Sequence, residues 1–363
     1  MRETIVKAID FLNCKKRDKL FNTVDNSRYS TDSNLNVLFE QLYDLRSKKS
    51  YSPLSDDRCQ VDSISNFETW NFEPLGIEIN DVNFVSMVYH VFKKIFLVFN
   101  VKEVDLENMY SFICEVAQIY HDALNPYHNI RHAIHVFHTM HLIVMNHLIY
   151  LPNMNNSPHL IIAAYIAALC HDIDHCGCTN RYLIATNHVK AIKSNGSSPQ
   201  EMHHAFVTVD LLRKHTVFRN TKDFKQIRMM IVRFILATNI AEHESFMNNI
   251  QKSRKSQIIM LALKCADLSH TFAPYEKHVQ WIKKLQAEFF IQGDKELFHK
   301  LQITTMFDRS KPDTLFNTQA DFFRILVLPM FNKLYEVCPS IKLAINESLL
   351  INYSTWNAHN KNI

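Results

Sequence analysis

The apolar run Leu160-Ile161-Ile162-Ala163-Ala164-Tyr165-Ile166-Ala167-Ala168-Leu169-Cys170 passes without a break into His171-Asp172-Ile173-Asp174-His175. A segment this apolar belongs inside the molecule, and it draws four ionisable side chains in behind it. Burying such groups without partners costs several kcal/mol, so something must compensate them. A metal ion would. The bland reading, a capped helix end with solvated charges, fits poorly after so apolar a run. Upstream lies a second histidine-rich segment, Tyr127-His128-Asn129-Ile130-Arg131-His132, and downstream a lone carboxylate, Asp267, follows another apolar stretch. Imidazoles with hard carboxylates suit zinc, manganese or magnesium.

The scaffold for these groups is expected to be helical. Only four glycines and ten prolines occur in 363 residues, too few for the tight turns of a many-stranded sheet. With 47% apolar and 11% aromatic residues the chain can fill a large core. Apolar residues recur at helical spacing from Phe67 onward, predicting helices at roughly 81–99, 104–121, 128–149, 158–171, 180–194, 199–216, 221–241, 256–268, 274–292, 315–337 and 340–351. Residues 1–62 are more polar and read as a helical extension and linker ahead of a single domain over 63–363.

The charge of +4, from 40 basic and 36 acidic residues, has no long basic run with interleaved aromatics, which argues against a nucleic-acid partner. The eight cysteines lack paired CxxC spacing and point to a reducing compartment. No cleavable leader is expected at Met1–Asn13. A membrane span needs about 20 apolar residues in a row, and the nearest stretch, Phe84 to Phe99, is interrupted by His90, Lys93 and Lys94. The expectation is a soluble domain on the cytoplasmic side.

His128 and His132, four apart, share a helical face and can address one site. Such a pair arises by chance often, and His135 and His138 continue it at positions that could equally be surface or core. His171 and Asp172 are adjacent, so they can meet one ion only where the helix turns or ends. Asp267, at the end of Leu261-Ala262-Leu263-Lys264-Cys265-Ala266-Asp267, repeats the pattern of an apolar helix closed by a carboxylate.

Further segments complete the picture: Glu201-Met202-His203-His204, Leu236-Ala237-Thr238-Asn239, Cys265-Ala266-Asp267-Leu268-Ser269, Glu288-Phe289-Phe290-Ile291-Gln292-Gly293-Asp294, and Gln319 followed by Phe322. Together with Tyr127 to Ala133 and His171 to Gly177, and in this order over about 66–355, the chain resembles the class I cyclic-nucleotide phosphodiesterases. The resemblance implies an all-α, compact multi-helix bundle with a metal site at the base of a deep pocket. It implies a zinc ion on His132, His171, Asp172 and Asp267, and a second ion, magnesium or manganese, sharing Asp172. His128 falls in the proton-donor position; His175, Glu201 and His204 would orient waters or carboxylates around the metals.

The substrate implied is a cyclic purine nucleotide, held by Gln319 at the base edge and Phe322 and Leu285 on the ring faces, with Tyr127, His270 and Asn239 nearby. Segments such as Phe224-Lys225-Gln226-Ile227-Arg228 and Met306-Phe307-Asp308-Arg309 look most like the cGMP-preferring branch. The chain departs from the family pattern at His135 (for aspartate), Cys176 (for proline), Met202 (for asparagine), Asn239 (for aspartate) and His270 (for asparagine). None removes a proposed ligand or His128; Asn239 and His270 bear on purine selectivity. Two rival readings remain: an HD-type phosphohydrolase acting on other nucleotides, and a non-catalytic cyclic-nucleotide sensor. A zinc protease is disfavoured, since no HExxH segment occurs. Richness in Asn, Ile, Lys and Phe fits an AT-biased genome such as a protozoan parasite's, where related domains can follow membrane spans.

Overall fold

Pro158 stands in the first turn of the helix Pro158–Cys170, where its missing N–H costs nothing, and every residue from Leu160 to Cys170 is buried. A helix with no polar face can only be a central one, and its neighbours must surround it. The computed structural model describes residues 67–360 apart from 78, 102, 103 and 219–223; among them no strand occurs. The expected extension and linker over 1–62 lies outside the described residues, which fall within a compact unit spanning Ser55–Ile363.

In chain order the helices are α1 (Asp81–Val98), α2 (Leu106–Asp122), α3 (Ile130–Asn146), α4 (Pro158–Cys170), α5 (Asn180–Ala185), α6 (Val189–Lys193), α7 (Pro199–Lys214) and α8 (Phe224–Leu236). There follow α9 (His243–Asn249), α10 (Lys255–Asp267), α11 (Tyr275–Phe298), α12 (Thr314–Asn317), α13 (Gln319–Phe322), α14 (Leu328–Val337) and α15 (Pro339–Asn360). The central α4 packs against α3, α7, α8 and α10. Phe137 of α3 ties this layer to the next, its ring centroid 5.7 Å from both Phe92 of α1 and Tyr165 of α4.

Five stretches depart from the periodicity, one of them α15, which runs on to Asn360 where the pattern predicts an end at 351. The helix expected over 180–194 is two short ones, because Asn187 takes a left-handed φ of 50° between α5 and α6. Helix α9 lies between the expected helices; only Phe246 and Met247 pack half-buried against the core, too short a stripe to mark a helix. The stretch expected over 315–337 is broken into α12, α13, a π-helical turn at Phe323–Val327, and α14. Pro329, early in α14, cannot donate to the carbonyl four residues back, and the widened turn just before it absorbs that defect.

The fifth departure is α11, which passes through Gly293 to Phe298 instead of stopping at 292. Glycine is tolerated because the Phe307 carbonyl lies where its Cβ would be, so the residue serves close packing, not helix termination. Gly293→Ala should therefore push the 305–307 turn off α11 and destabilise the fold by about 1–3 kcal/mol. Urea unfolding of the variant would measure it, and an unchanged midpoint would show that the turn yields freely.

Candidate metal centre

Three helix ends meet at one point. Asn129 caps α3 by accepting the Arg131 N–H at 2.9 Å, which sets the first turn from which His132 projects. Helix α4 ends at Cys170, so His171 and Asp172 stand where the helical frame closes and both can reach the same point. Asp267 is the last residue of α10. Two of the converging ends are helix C-termini, whose exposed carbonyl dipoles favour a cation.

His132 Nε2 lies 3.2 Å from His171 Nε2, 3.1 Å from Asp267 Oδ1 and 3.3 Å from Asp172 Oδ2. His171 Nε2 lies 3.2 Å from Asp172 Oδ2 and 3.3 Å from Asp267 Oδ1. Ligands 2.0–2.1 Å from a tetrahedral zinc are separated by about 3.3 Å, so these spacings fit an ion at the centre. The His171 tautomer agrees. Its Nδ1 is 3.1 Å from the Ala168 carbonyl, which can only accept, so the proton sits on Nδ1 and Nε2 presents a lone pair inward.

The electrostatics ask for the same thing. Burial alone would raise Asp172, yet His171, His128 and His132 hold it well below the usual carboxylate range. Burial alone would lower His171, yet Asp172 and Asp267 push it well above the ordinary imidazole value. Two buried carboxylates are drawing positive charge into the site, the need a divalent ion meets.

A second group, Asp172, His175 and His204, has ligand atoms within 4.8 Å of one another. His204 donates from Nδ1 to the Ile173 carbonyl at 2.6 Å, leaving a bare, buried Nε2 without a partner 3.8 Å from Asp172 Oδ1. Two acceptors facing each other across that gap need a hydrogen-bonded water or a cation between them. Glu201, held by the Asn180 amide at 2.8 Å, is raised by burial and by the charges of Asp172 and Asp267. His203 turns away, 2.8 Å from Asp174.

His128 sits at the rim, with Nε2 3.9 Å from Asp172 Oδ2 and its ring centroid 4.0 Å from that of His175. Its Nδ1 is 2.5 Å from Glu288 Oε1, and Glu288 Oε2 accepts the backbone N–H groups of Tyr127 at 3.0 Å and His128 at 3.1 Å. Burial alone would lower this imidazole, but Glu288, then Asp172, raise it from 6.5 to about 9.

A family model described as 3'5'-cyclic nucleotide phosphodiesterase matches residues 127–348, which contain every one of these groups. The chain belongs to this family. Among relatives of this phosphodiesterase domain is the human high affinity cGMP-specific 3',5'-cyclic phosphodiesterase 9A, 30% identical over 80% of this chain and 49% of its own length. Another is the cGMP-specific 3',5'-cyclic phosphodiesterase gamma of Plasmodium yoelii, 29% identical over 89% of this chain and 44% of its own length. The crystal structure of the phosphodiesterase domain of the RhoPDE fusion protein from the choanoflagellate Salpingoeca rosetta superposes with a TM-score of 0.72 at 25% identity, covering 84% of this chain and 98% of that one. The chain thus spans about half the length of the curated relatives it matches.

In this phosphodiesterase domain Gln319, at the start of α13, donates from Nε2 to the Leu315 carbonyl at 3.0 Å, which leaves Oε1 buried and without a partner. Phe322 and Leu285 are half-buried. Tyr127 is buried behind the histidines, its ring 4.8 Å from those of both His128 and His132. His270 is buried, with Nδ1 3.1 Å from that of His278. Asn239 spends its amide inside the protein, donating to Ser198 at 2.8 Å and accepting from the Ala241 N–H at 2.9 Å.

Two residues that hold the site had not been singled out. Glu288 lies on the buried face of α11 with Trp281 and Gln292, at helical spacing from both. Asn125 donates to the carbonyls of His128 at 3.0 Å and His175 at 2.8 Å, tying the two histidine segments together. Nothing in its local sequence distinguishes it.

Proposed function

We propose that this chain hydrolyses 3′,5′-cyclic purine nucleotides to 5′-monophosphates, cGMP in preference to cAMP. The supporting observation is the convergence of His132, His171, Asp172 and Asp267, with His128 facing the same space. These four residues would hold zinc, and Asp172, with waters oriented by His175, Glu201 and His204, would hold magnesium or manganese. When bound, such ions activate water and neutralise phosphate oxygens.

The chain's own groups do the rest. Glu288 holds His128 protonated with its Nε2 toward Asp172, where it can give a proton to the departing 3′ oxygen as the ring ester opens. Gln319 Oε1 asks the base for a donor, which guanine offers at N1 and adenine at N6. Because both purines satisfy it, the cGMP preference rests on the cGMP-specific relatives. Six cysteines among the described residues are free, in keeping with a cytoplasmic-side location. Among those residues no helix is long and apolar enough to cross a membrane.

Parallel turnover assays on the metal-loaded chain test the proposal. The expected result is release of 5′-nucleotide with the higher kcat/KM for cGMP. A metal-replete protein that binds cyclic nucleotide without turnover would make it a sensor, and a cAMP preference would reverse the purine assignment. A finer check concerns Glu288. Glu288→Gln removes the negative charge that favours imidazolium, so His128 loses its proton at lower pH and the alkaline limb of the kcat profile moves down in pH. A limb that stays in place would detach Glu288 from the proton donor.

A further inference from the structure

Directly after the metal-site loop, Cys176-Gly177-Cys178 places two thiols side by side. Cys176 packs, partly buried, against the small cluster that holds Cys178, and the Lys295 ammonium lies 3.4 Å from Cys178 Sγ. Of the free cysteines among the described residues, Cys114, Cys170, Cys265 and Cys338 are buried in the main body of the fold, whereas Cys176 is half-buried. Cys178 packs in a small satellite cluster with Tyr182, Leu183 and Ala191, which holds the turn in place. Gly177 between them has a left-handed φ of 66°. Residues two apart on an extended chain point to one side about 6.6 Å apart, and a turn at the middle residue shortens that span toward the Cα separation a disulfide requires.

The neighbouring Cys178 thiol, with Lys190 and Lys295, lowers the Cys176 thiol from 9.0 to about 6, against its burial. The neighbouring Cys176 and burial raise Cys178 well above its ordinary value. The pair is a nucleophile with its resolving thiol beside it.

We propose that Cys176 and Cys178 form a peroxide-sensitive dithiol whose oxidation to a disulfide slows the enzyme. The Cys176 thiolate attacks the O–O bond of hydrogen peroxide, taking one oxygen to become a sulfenic acid and releasing hydroxide, which becomes water with a solvent proton. Cys178 then attacks the Cys176 sulfur, forming the S–S bond; the sulfenic oxygen leaves with the thiol proton as a second water. Two thiols lose two electrons and one peroxide gains them.

The link to activity runs through Gly177. A Cβ there would stand 2.8 Å from Asn125 Oδ1 and 3.7 Å from Glu288 Cγ, so this backbone is pressed against the two residues that hold His128. The Gly177 N–H also donates to His175 Nδ1 at 3.1 Å. Drawing the two sulfurs to bonding distance moves that backbone, and displacement of catalytic groups by about 1 Å costs about 10²-fold in turnover.

The metal-loaded chain would be treated with equimolar hydrogen peroxide and read by peptide mass mapping and by turnover. The expected result is loss of two hydrogens mapped to a Cys176–Cys178 bridge, turnover reduced by about 10²-fold and recovered with dithiothreitol. Cys178→Ser should trap the sulfenic acid on Cys176 as a dimedone adduct, and Cys176→Ser should keep its turnover under peroxide. Oxidation that maps elsewhere, or a mapped bridge with turnover unchanged, would overturn the proposal. The slowing rests on the phosphodiesterase reading, whose own failure would appear as a reduced protein with no turnover, whereas the bridge is read by mass alone.

Discussion

Replacing His128 with alanine should lower kcat by about 10²–10⁴-fold, the usual contribution of a positioned general acid, while the chain keeps its metal. The asymmetry follows from the geometry. His128 Nε2 is 3.9 Å from the nearest Asp172 oxygen, whereas the nitrogens of His132 and His171 stand 3.2–3.3 Å from that same oxygen. His128 also has its Nδ1 occupied by Glu288 at 2.5 Å, which suits the proposed role of proton carrier over that of metal ligand. Metal analysis alongside a cyclic-nucleotide assay separates the two roles. Equal loss of metal and turnover would make His128 a ligand and leave the leaving oxygen without an identified donor.

Asp172→Asn should be more damaging, because it removes the carboxylate that both ions would share while keeping its volume. A group that only orients a ligand is worth about 10–100-fold in metal affinity, so losing a ligand itself exceeds that. Without the shared charge the phosphate oxygens lose their counter-ions, and turnover should fall below that of His128→Ala. A second readout is stability. Ion binding at 100 times its dissociation constant stabilises a folded protein by about 2.7 kcal/mol, so chelation should lower the Tm of the natural chain and barely move that of the variant. A variant that retained both ions and its chelation-sensitive Tm would show that Asp172 is not the bridge.

The helical class, the buried run over 160–170 and the grouping of histidines with aspartates were all legible in the residue order. Each is written in local chemistry: a run with no polar face, charges that burial makes costly, a near absence of glycine. Helix ends were less legible. Helix α11 runs past the expected end at 292 because Gly293 is there for close packing, and its reason, the Phe307 carbonyl pressed against α11, comes from a distant turn. Helix α9 had no reading at all, since it is short and none of its residues is fully buried; its weak stripe, Phe246 and Met247, is only half-buried against the core.

The finer layer of the site belongs to the folded chain. Local sequence marks His171 and Asp172 as needing compensation, but which partners face them depends on α3 and α10 ending beside α4. Glu288 reaches His128 across 160 positions of chain, and Asn125 reaches His175 across 50. Hydrogen bonds and ion coordination are short-ranged and directional, so a residue's part in them follows from which distant backbone stands within about 3 Å of it. Composition and periodicity act through burial, which each residue carries with it wherever the chain goes.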